Sequence, residues 1–303
     1  MQHSCYGGVV PELASRLHAV ALPEILKDVK PYFKDIKAVA VTNQPGLGVT
    51  LIEGIAMAKT IASLLDIPLI AVHHLKAHIY SLFIESDTIF PILVLLISGG
   101  HTQIIKVTAF DDMQILASSM DDSIGESFDK CSKMMGLGYP GGPIVEKLAK
   151  EGDENRFDLP VPLRNSPLIA FSLSGLKNAV RLKIEKLGGA ESLTHQDRCD
   201  ISASFQKAIR LHLIQKTKKI FQNENIEDFT IVGGASANIY IREAYQKLCN
   251  EFDKNIHFVE LQYCSDNAVM VGRYAIDAYN REEFISQEDL ENKSTKKNKN
   301  GKL

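Results

Sequence analysis

Apolar runs of strand length alternate with segments of helical period along most of this chain, and two of those runs end in Gly-Gly. That alternation constrains the fold more than any single motif, because a period of two and a period of 3.6 bury different faces. Strands are expected at residues 36–41, closed by the turn-formers Asn43, Pro45 and Gly46, and at 67–72. Three follow in close succession at 92–98, 103–108 and 113–118, with two more at 229–232 and 256–260. Between them Leu51, Ile55, Ala58, Ala62 and Leu65 recur at helical spacing behind a Thr50/Glu53 pair that reads as a capping box. Further helices are expected from His74, at 124–135, 143–150, 176–187 and 197–221, from Asn238, and at 268–279. Such alternation predicts α/β layering with mainly parallel pairing, mixed with a meander where three strands follow one another.

At 303 residues the chain has room for two domains of about 150 residues each. The expected division is 1–120 and 121–284, followed by a polar, Lys- and Asn-rich tail at 285–303 that reads as disordered. Apolar residues make up 45% and charged residues 23%, which suits a globular protein. A formal net charge of −3 means that any nucleic-acid contact must be a local basic surface. Five cysteines, odd in number and without CxxC spacing, suit free thiols better than a disulfide framework or a zinc ribbon. The longest apolar run, residues 92–97, is too short to span a bilayer, and nothing at the start reads as a signal peptide. The expectation is a cytoplasmic protein.

Several constellations carry chemistry. His74 and His78 are four apart, so a helix would set both imidazoles on one face, where they can share a metal. Leu75 stands where a zinc protease of the His-Glu-x-x-His type would have its general base, so that reading fails. The run Leu96, Ile97, Ser98, Gly99, Gly100 turns back on itself as a hairpin, and its bare tip would let N–H groups approach a phosphate or acyl group. Gly233 and Gly234 repeat the idea at a strand-to-helix turn ahead of Asn238, the place where an anion sits on a helix N-terminus. Ser123 and Glu126 form a second capping box, and the stripe of Ile124, Phe128, Cys131 and Met135 leaves Glu126, Asp129 and Lys133 on the exposed side. From there Asp129 is either solvated or able to accept ribose hydroxyls. Asp266, between a strand and a helix, reads as an N-cap.

Taken together these segments resemble the TsaD family of the actin-like and sugar-kinase superfamily. The matching stretches run in the family's order over nearly the whole chain: 6–16 with His18, 43–48, the His74/His78 pair, 98–102, 125–130, 139–143, 171–177, 233–238 and 265–267. The resemblance implies an actin-like (ASKHA) α/β fold with two related halves around a nucleotide cleft. Because the Tyr6 stretch stands at the very start, the first half would lack its opening strands. It also implies that His74, His78 and Asp266 bind one divalent metal, iron(2+) or zinc. Leu96, Ile97, Ser98, Gly99 and Gly100, with Asp129, Gly142, Glu146 and Asn238, would hold threonylcarbamoyl-adenylate.

The implied reaction transfers threonylcarbamoyl from that adenylate to N6 of the adenosine beside the anticodon, in tRNAs that read codons beginning with A, and releases AMP. Implied partners are tRNA, a TsaB-like inactive paralogue and a TsaE-like ATPase, with no membrane. Lys177, beside Ser174 and Gly175 at a helix start, is a candidate for RNA or substrate contact, and no general base is apparent. Two rival readings are a kinase or ATPase of the superfamily and a non-catalytic scaffold subunit. The histidine pair argues against the first, because such kinases hold magnesium through oxygen ligands. A scaffold would have no reason to keep a metal triad.

Overall fold

The computed structural model describes residues 8–293, 301 and 303; Cys5, Tyr6, Gly7 and the tail residues 294–300 and 302 lie outside the described residues. The chain resolves into two compact units, one spanning Thr88–Ser265 and the other combining Val9–Asp87 with Asp266–Gly301. Their boundaries differ from the expected 1–120 and 121–284. The reason is strand pairing: the meander at 92–118 is hydrogen-bonded to a strand more than a hundred residues later, and the last helix packs with the N-terminal segment.

In the larger unit, β3 (Ile92–Ile97), β4 (Thr102–Ala109) and β5 (Asp112–Ser118) form an antiparallel meander. β6 (Asp228–Val232) and β7 (Asn255–Phe258) add parallel strands on the other side of β3, giving the order β5-β4-β3-β6-β7. Every residue of the central strand β3 is buried, which is why it reads as an unbroken apolar run. One face of the sheet (Leu93, Leu95, Ile97, Ile104, Phe229, Ile231) packs into a core with Phe128, Phe171, Phe205, Ile209 and Tyr245. Those residues come from the sheet's covering elements, among them α4 (Ile124–Met134), α7 (His195–Asn223) and α8 (Ile239–Glu251). α5 (Gly141–Ala149) packs on α4 and α7, and α6 (Ser174–Lys186) on the same pair.

Two buried cation-type groups of α7 shape the loop before α6. Lys216 is fully buried and its ammonium donates to the carbonyls of Leu163 and Leu168 at 3.0 and 2.9 Å. His212 accepts the Ser172 N–H through Nε2; burial, then the neighbouring Lys216, pushes its imidazole down to about 4. The loop's backbone carbonyls thus find their partners on a helix instead of in water.

The smaller unit opens with α1 (Pro11–Val29), a helix the periodicity above did not bring out. β1 (Val39–Gln44) and β2 (Leu69–His73) pair in parallel through α2 (Gly48–Leu65). β1 runs on through Asn43, which the sequence reading placed in the closing turn. The Thr50/Glu53 box does not form: Thr50 hydrogen-bonds back to the Leu47 carbonyl, and Glu53 accepts the Ser15 hydroxyl at 2.8 Å. α2 is long and apolar enough, by length and composition, to cross a membrane, which corrects the expectation that no segment is. Glu53 and Lys59 interrupt it, so a contiguous-run criterion passes over it.

Ile55, Ala58 and Ala62 of α2 form a small core with Leu69 and with Leu290. Leu290 is only 1% exposed, although it lies in the segment read as a disordered tail. The Ile285 N–H donates to the Leu69 carbonyl, the Asn43 side-chain amide donates to the Glu291 carbonyl, and the Lys293 N–H donates to the Asn43 carbonyl. Two apolar residues, Ile285 and Leu290, with backbone partners on the strand edges, hold residues 285–293 in place.

Candidate metal centre and glycine loops

β2 ends at His73, which also opens α3 (His74–Tyr80), so the histidine pair emerges straight from a strand. α3 is held against α9 (Ala268–Asn280): the Tyr80 and Tyr274 rings meet edge to face at 5.1 Å, and Arg273 Nε donates to the Phe83 carbonyl at 2.7 Å. This brings the residues just ahead of α9 to the face of α3 that carries His74 and His78. The N-cap of α9 is Asn267, whose Oδ1 accepts the Met270 N–H at 2.8 Å. Asp266 is therefore not the cap that the sequence suggested.

Instead its Oδ1 lies 3.3 Å from Nε2 of His74 and 3.0 Å from Nε2 of His78. The imidazoles, His74 first and then His78, hold the Asp266 carboxyl well below the usual carboxylate range. His78 is fully buried, and its Nε2 faces Asp266 at angles that make no hydrogen bond. A buried imidazole aimed at a carboxylate without bonding it is what a metal-ligand pair looks like when nothing else satisfies it. Bonds of about 2.0–2.2 Å set ligand separations of about 3.0–3.6 Å in octahedral and tetrahedral shells. The separations here match, so the residues fit a divalent metal with open positions.

The glycine loops belong to the larger unit. β3 and β6 run parallel with Leu96 opposite Val232, so both Gly-Gly turns leave the same edge of the sheet. A relay of hydrogen bonds ties helix starts to that edge. Ser123 Oγ donates to the Gly99 carbonyl at 2.6 Å, the Gly125 N–H to the Ser98 carbonyl at 3.2 Å, and the Ile124 N–H to Thr102 Oγ1 at 2.9 Å. Asp129 Oδ1 accepts the Gly141 N–H at 2.7 Å, which fixes the start of α5. Glu146 Oε1 accepts the Ile239 N–H at 2.8 Å and links α5 to the start of α8.

The glycines divide into two kinds. A Cβ on Gly125, Gly141 or Gly233 would fall 2.6 Å from a backbone oxygen, so these three allow close packing. Gly99, Gly100, Gly142 and Gly234 have nothing within 4 Å of that position. Packing does not require glycine there, and all four present bare backbone to open space.

Hydrogen bonds tie the loop at 98–100 to the start of α4, Asp129 to Gly141 beside Gly142, and Glu146 to Ile239 beside Asn238; Leu96 and Ile97 are buried strand residues that carry the loop. Burial pushes the Asp129 carboxyl up against the lowering pull of the Gly141 N–H, with Glu126 adding to the rise. The Asn238 side chain is engaged on both atoms, accepting from the Ile241 N–H and donating to Gln206 at 2.9 Å. Lys177 is paired with Asp122, which also holds Lys130 at 3.0 Å, so it is no free cation. Gly125, Gly141 and Thr102 lie in stretches that carry the resemblance, but sequence reasoning gave them no role, because their roles depend on which helix comes close and leave no periodic trace.

Residues 1–273 match the family described as "TsaD: tRNA N6-adenosine threonylcarbamoyltransferase". The chain is 74% identical over 302 residues to the tRNA N6-adenosine threonylcarbamoyltransferase of Sulfurovum sp. (strain NBC37-1), covering all of this chain (100%) and 90% of that protein. It is 49% identical over 301 residues to the one from Campylobacter jejuni subsp. jejuni serotype O:6 (strain 81116 / NCTC 11828), covering 99% and 88%. Among solved structures, full-length HypF in its phosphate- and nucleotide-bound form superposes with a TM-score of 0.62 at 14% identity. That match spans 86% of this chain and 42% of HypF, and it is a likeness of fold alone. With a mixed-sheet α/β fold, a match over residues 1–273 and relatives at 49–74% identity over nearly their whole length, the chain belongs to the TsaD family.

Proposed function

We propose that this chain transfers the threonylcarbamoyl group from threonylcarbamoyl-adenylate to N6 of the adenosine beside the anticodon, in tRNAs that read codons beginning with A. The observation that carries the reading is the convergence of His74, His78 and Asp266 around one point. In the reaction a C–N bond forms between the carbamoyl carbon and N6, the anhydride C–O bond breaks, AMP leaves with the electron pair, and N6 gives up a proton.

His74, His78 and Asp266 would hold one divalent metal, iron(2+) or zinc, two imidazoles and a carboxylate being a donor set common to both. When bound it supplies Lewis-acid polarisation of an oxygen ligand. The chain's own residues do the rest. The open amides around Gly99, Gly100, Gly142 and Gly234 would bind the adenylate phosphate and stabilise charge on the leaving AMP. Asp129, with one oxygen on Gly141, would offer the other to a ribose hydroxyl. Glu146 and Asn238 orient the start of α8, and Leu96 and Ile97 are the buried strand residues from which the glycine loop leaves. Positioning of this kind suits a weak exocyclic amine nucleophile.

An actin-like fold is part of the same reading. The meander β3–β4–β5 with β6 and β7 added in parallel supports it, and β1–α2–β2 in the smaller unit repeats the succession β6–α8–β7. A cytoplasmic location follows from a tRNA substrate. A TsaB-like paralogue and a TsaE-like ATPase are the proposed protein partners. Exposed Val20, Ile25, Ile52 and Leu64 on α1 and α2 support a protein-binding face. A protease is disfavoured, because Leu75 is buried and carries no base.

The test is transfer of labelled threonylcarbamoyl from its adenylate to tRNA by this chain with the partner proteins. Product that disappears in His74→Ala supports the reading. Failure to form product with this chain, in an assay where the Sulfurovum relative forms it, would sink it.

A further inference from the structure

A second cluster of soft and hard donors lies in the larger unit, apart from the residues discussed so far. His195 is the first residue of α7 and Cys199 stands one turn later on the same face. Glu151, in the loop after α5, completes the group. Nε2 of His195 lies 3.3 Å from Oε2 of Glu151 and 3.5 Å from Sγ of Cys199. All three donor atoms fall within 4.8 Å of one another. Bonds of about 2.0–2.3 Å to a tetrahedral zinc give donor separations of about 3.3–3.8 Å, which the two measured distances match.

The arrangement is held from outside. A Cβ on Gly152 would fall 2.1 Å from the Cys199 carbonyl oxygen, so only glycine lets the Glu151 loop come this close to α7. The Asp153 N–H donates to Asp200 at 2.7 Å, and Arg156 donates to Asp197 and Asp200 at 2.5 and 2.7 Å. Gln196 reaches the Glu151 carbonyl. These bonds engage Asp197 and Asp200, which removes them as competing ligands, and leave Glu151, His195 and Cys199 facing one another.

We propose that Glu151, His195 and Cys199 form a binding site for a thiophilic divalent cation of the zinc type. Binding displaces the thiol proton of Cys199 to solvent and forms one metal–sulfur, one metal–nitrogen and one metal–oxygen bond, with no change of oxidation state. The metal staples the loop at 150–157 to the first turn of α7. That loop lines a pocket of about 250 Å³ with Glu146, Gln206, Ile239 and Tyr240, so the staple stiffens a wall shared with the start of α8.

The test uses the full chain, stripped by chelator and titrated with Co2+ and separately with Zn2+. Thiolate-to-cobalt charge transfer gives a near-ultraviolet band that the His74, His78 and Asp266 donors cannot produce, since none is sulfur. The band should be complete by two equivalents, the other proposed metal centre taking one, vanish in Cys199→Ser and His195→Ala, and need about tenfold more cobalt in Glu151→Gln. His195 is an exposed position, so His195→Ala keeps the fold even if Cys199→Ser does not. In a His74→Ala background, which removes the other proposed metal centre, Zn2+ should raise the thermal midpoint by several degrees, and adding His195→Ala should abolish that rise. Absence of the band, or its survival in His195→Ala, overturns the proposal.

Discussion

Substituting Gly125 and Gly99 separately distinguishes glycine kept for packing from glycine kept for a ligand. In Gly125→Ala the new methyl would meet the Ser98 oxygen at 2.6 Å, Gly99 Cα at 2.8 Å and Gly99 N at 2.9 Å. All three are backbone atoms, so no flexible tip can yield; either the loop or α4 must shift. Overpacking of this kind costs about 1–3 kcal/mol, and the 3.2 Å bond from the Gly125 N–H to Ser98 is stretched or lost, about 1 kcal/mol more. Replacing glycine by alanine inside a helix returns about 1 kcal/mol. The net loss of about 1–3 kcal/mol corresponds to a fall of about 2–12 °C in thermal midpoint. Gly99→Ala meets nothing within 4 Å and should melt within about 0.5 kcal/mol of the unaltered protein. Its transfer rate should nonetheless fall by about tenfold or more, because the methyl stands where a phosphate would approach. Circular dichroism melts and the labelled transfer assay, run on both variants, read the two effects separately. Full activity in Gly99→Ala would refute the anion-binding role, and an unchanged melt for Gly125→Ala would refute the packing argument.

Other perturbations follow from the same geometry. In a His195→Ala background, which removes the second proposed site, His74→Ala, at a partly exposed position, should lower bound iron or zinc by about tenfold or more, read by elemental analysis after dialysis, with little change in melting. His212 is held neutral, with a folded-state value near 4 against an ordinary 6.5. The unfolded chain therefore takes up a proton first as pH falls: the stability is complete above about 6.5 and is lost progressively down to about 4, a total of about 3 kcal/mol. Denaturant melts from pH 7 to 4 should show that slope, and His212→Gln should flatten it. Lys216→Met leaves the Leu163 and Leu168 carbonyls without their buried donor, at a cost of about 2–3 kcal/mol. Trypsin should then cut faster after Arg164, in the loop those bonds hold.

The sequence made the sheet legible because its strands are apolar on both faces or alternate cleanly, and β3, β4, β5 and β6 lie within a residue or two of where periodicity put them. Places where a backbone group had two possible partners were not legible. The Thr50/Glu53 pair matches a capping box, yet Glu53 is drawn off by Ser15 on α1, a contact across 38 positions of sequence. Residues 285–293 are polar except for Ile285 and Leu290, and composition cannot show that two strand edges offer them partners. The Glu151, His195 and Cys199 cluster escaped notice for a similar reason. The His195–Cys199 spacing is visible, but Glu151 reaches it only because Gly152 permits a close approach.

The proposed metal centre shows how one residue of register decides chemistry. Asp266 and Asn267 are adjacent, and both are good N-cap residues. Had Asp266 capped α9, its carboxylate would accept a backbone N–H and its charge would be drawn to the helix N-terminus. Asn267 takes that place with a neutral side chain, since its Oδ1 meets the Met270 N–H. Asp266 is then one step outside the helix, where extended backbone at Asn267 carries it toward α3 and leaves Oδ1 to the two imidazoles. Exchanging the two residues tests the argument directly. Asp266→Asn combined with Asn267→Asp keeps the composition and the cap, because Asp caps as well as Asn. It should preserve the melting temperature while reducing the metal bound in a His195→Ala background by about tenfold or more. If metal is retained, the carboxylate at 267 can reach the histidines as well, and the division of labour between cap and ligand is not what places Asp266.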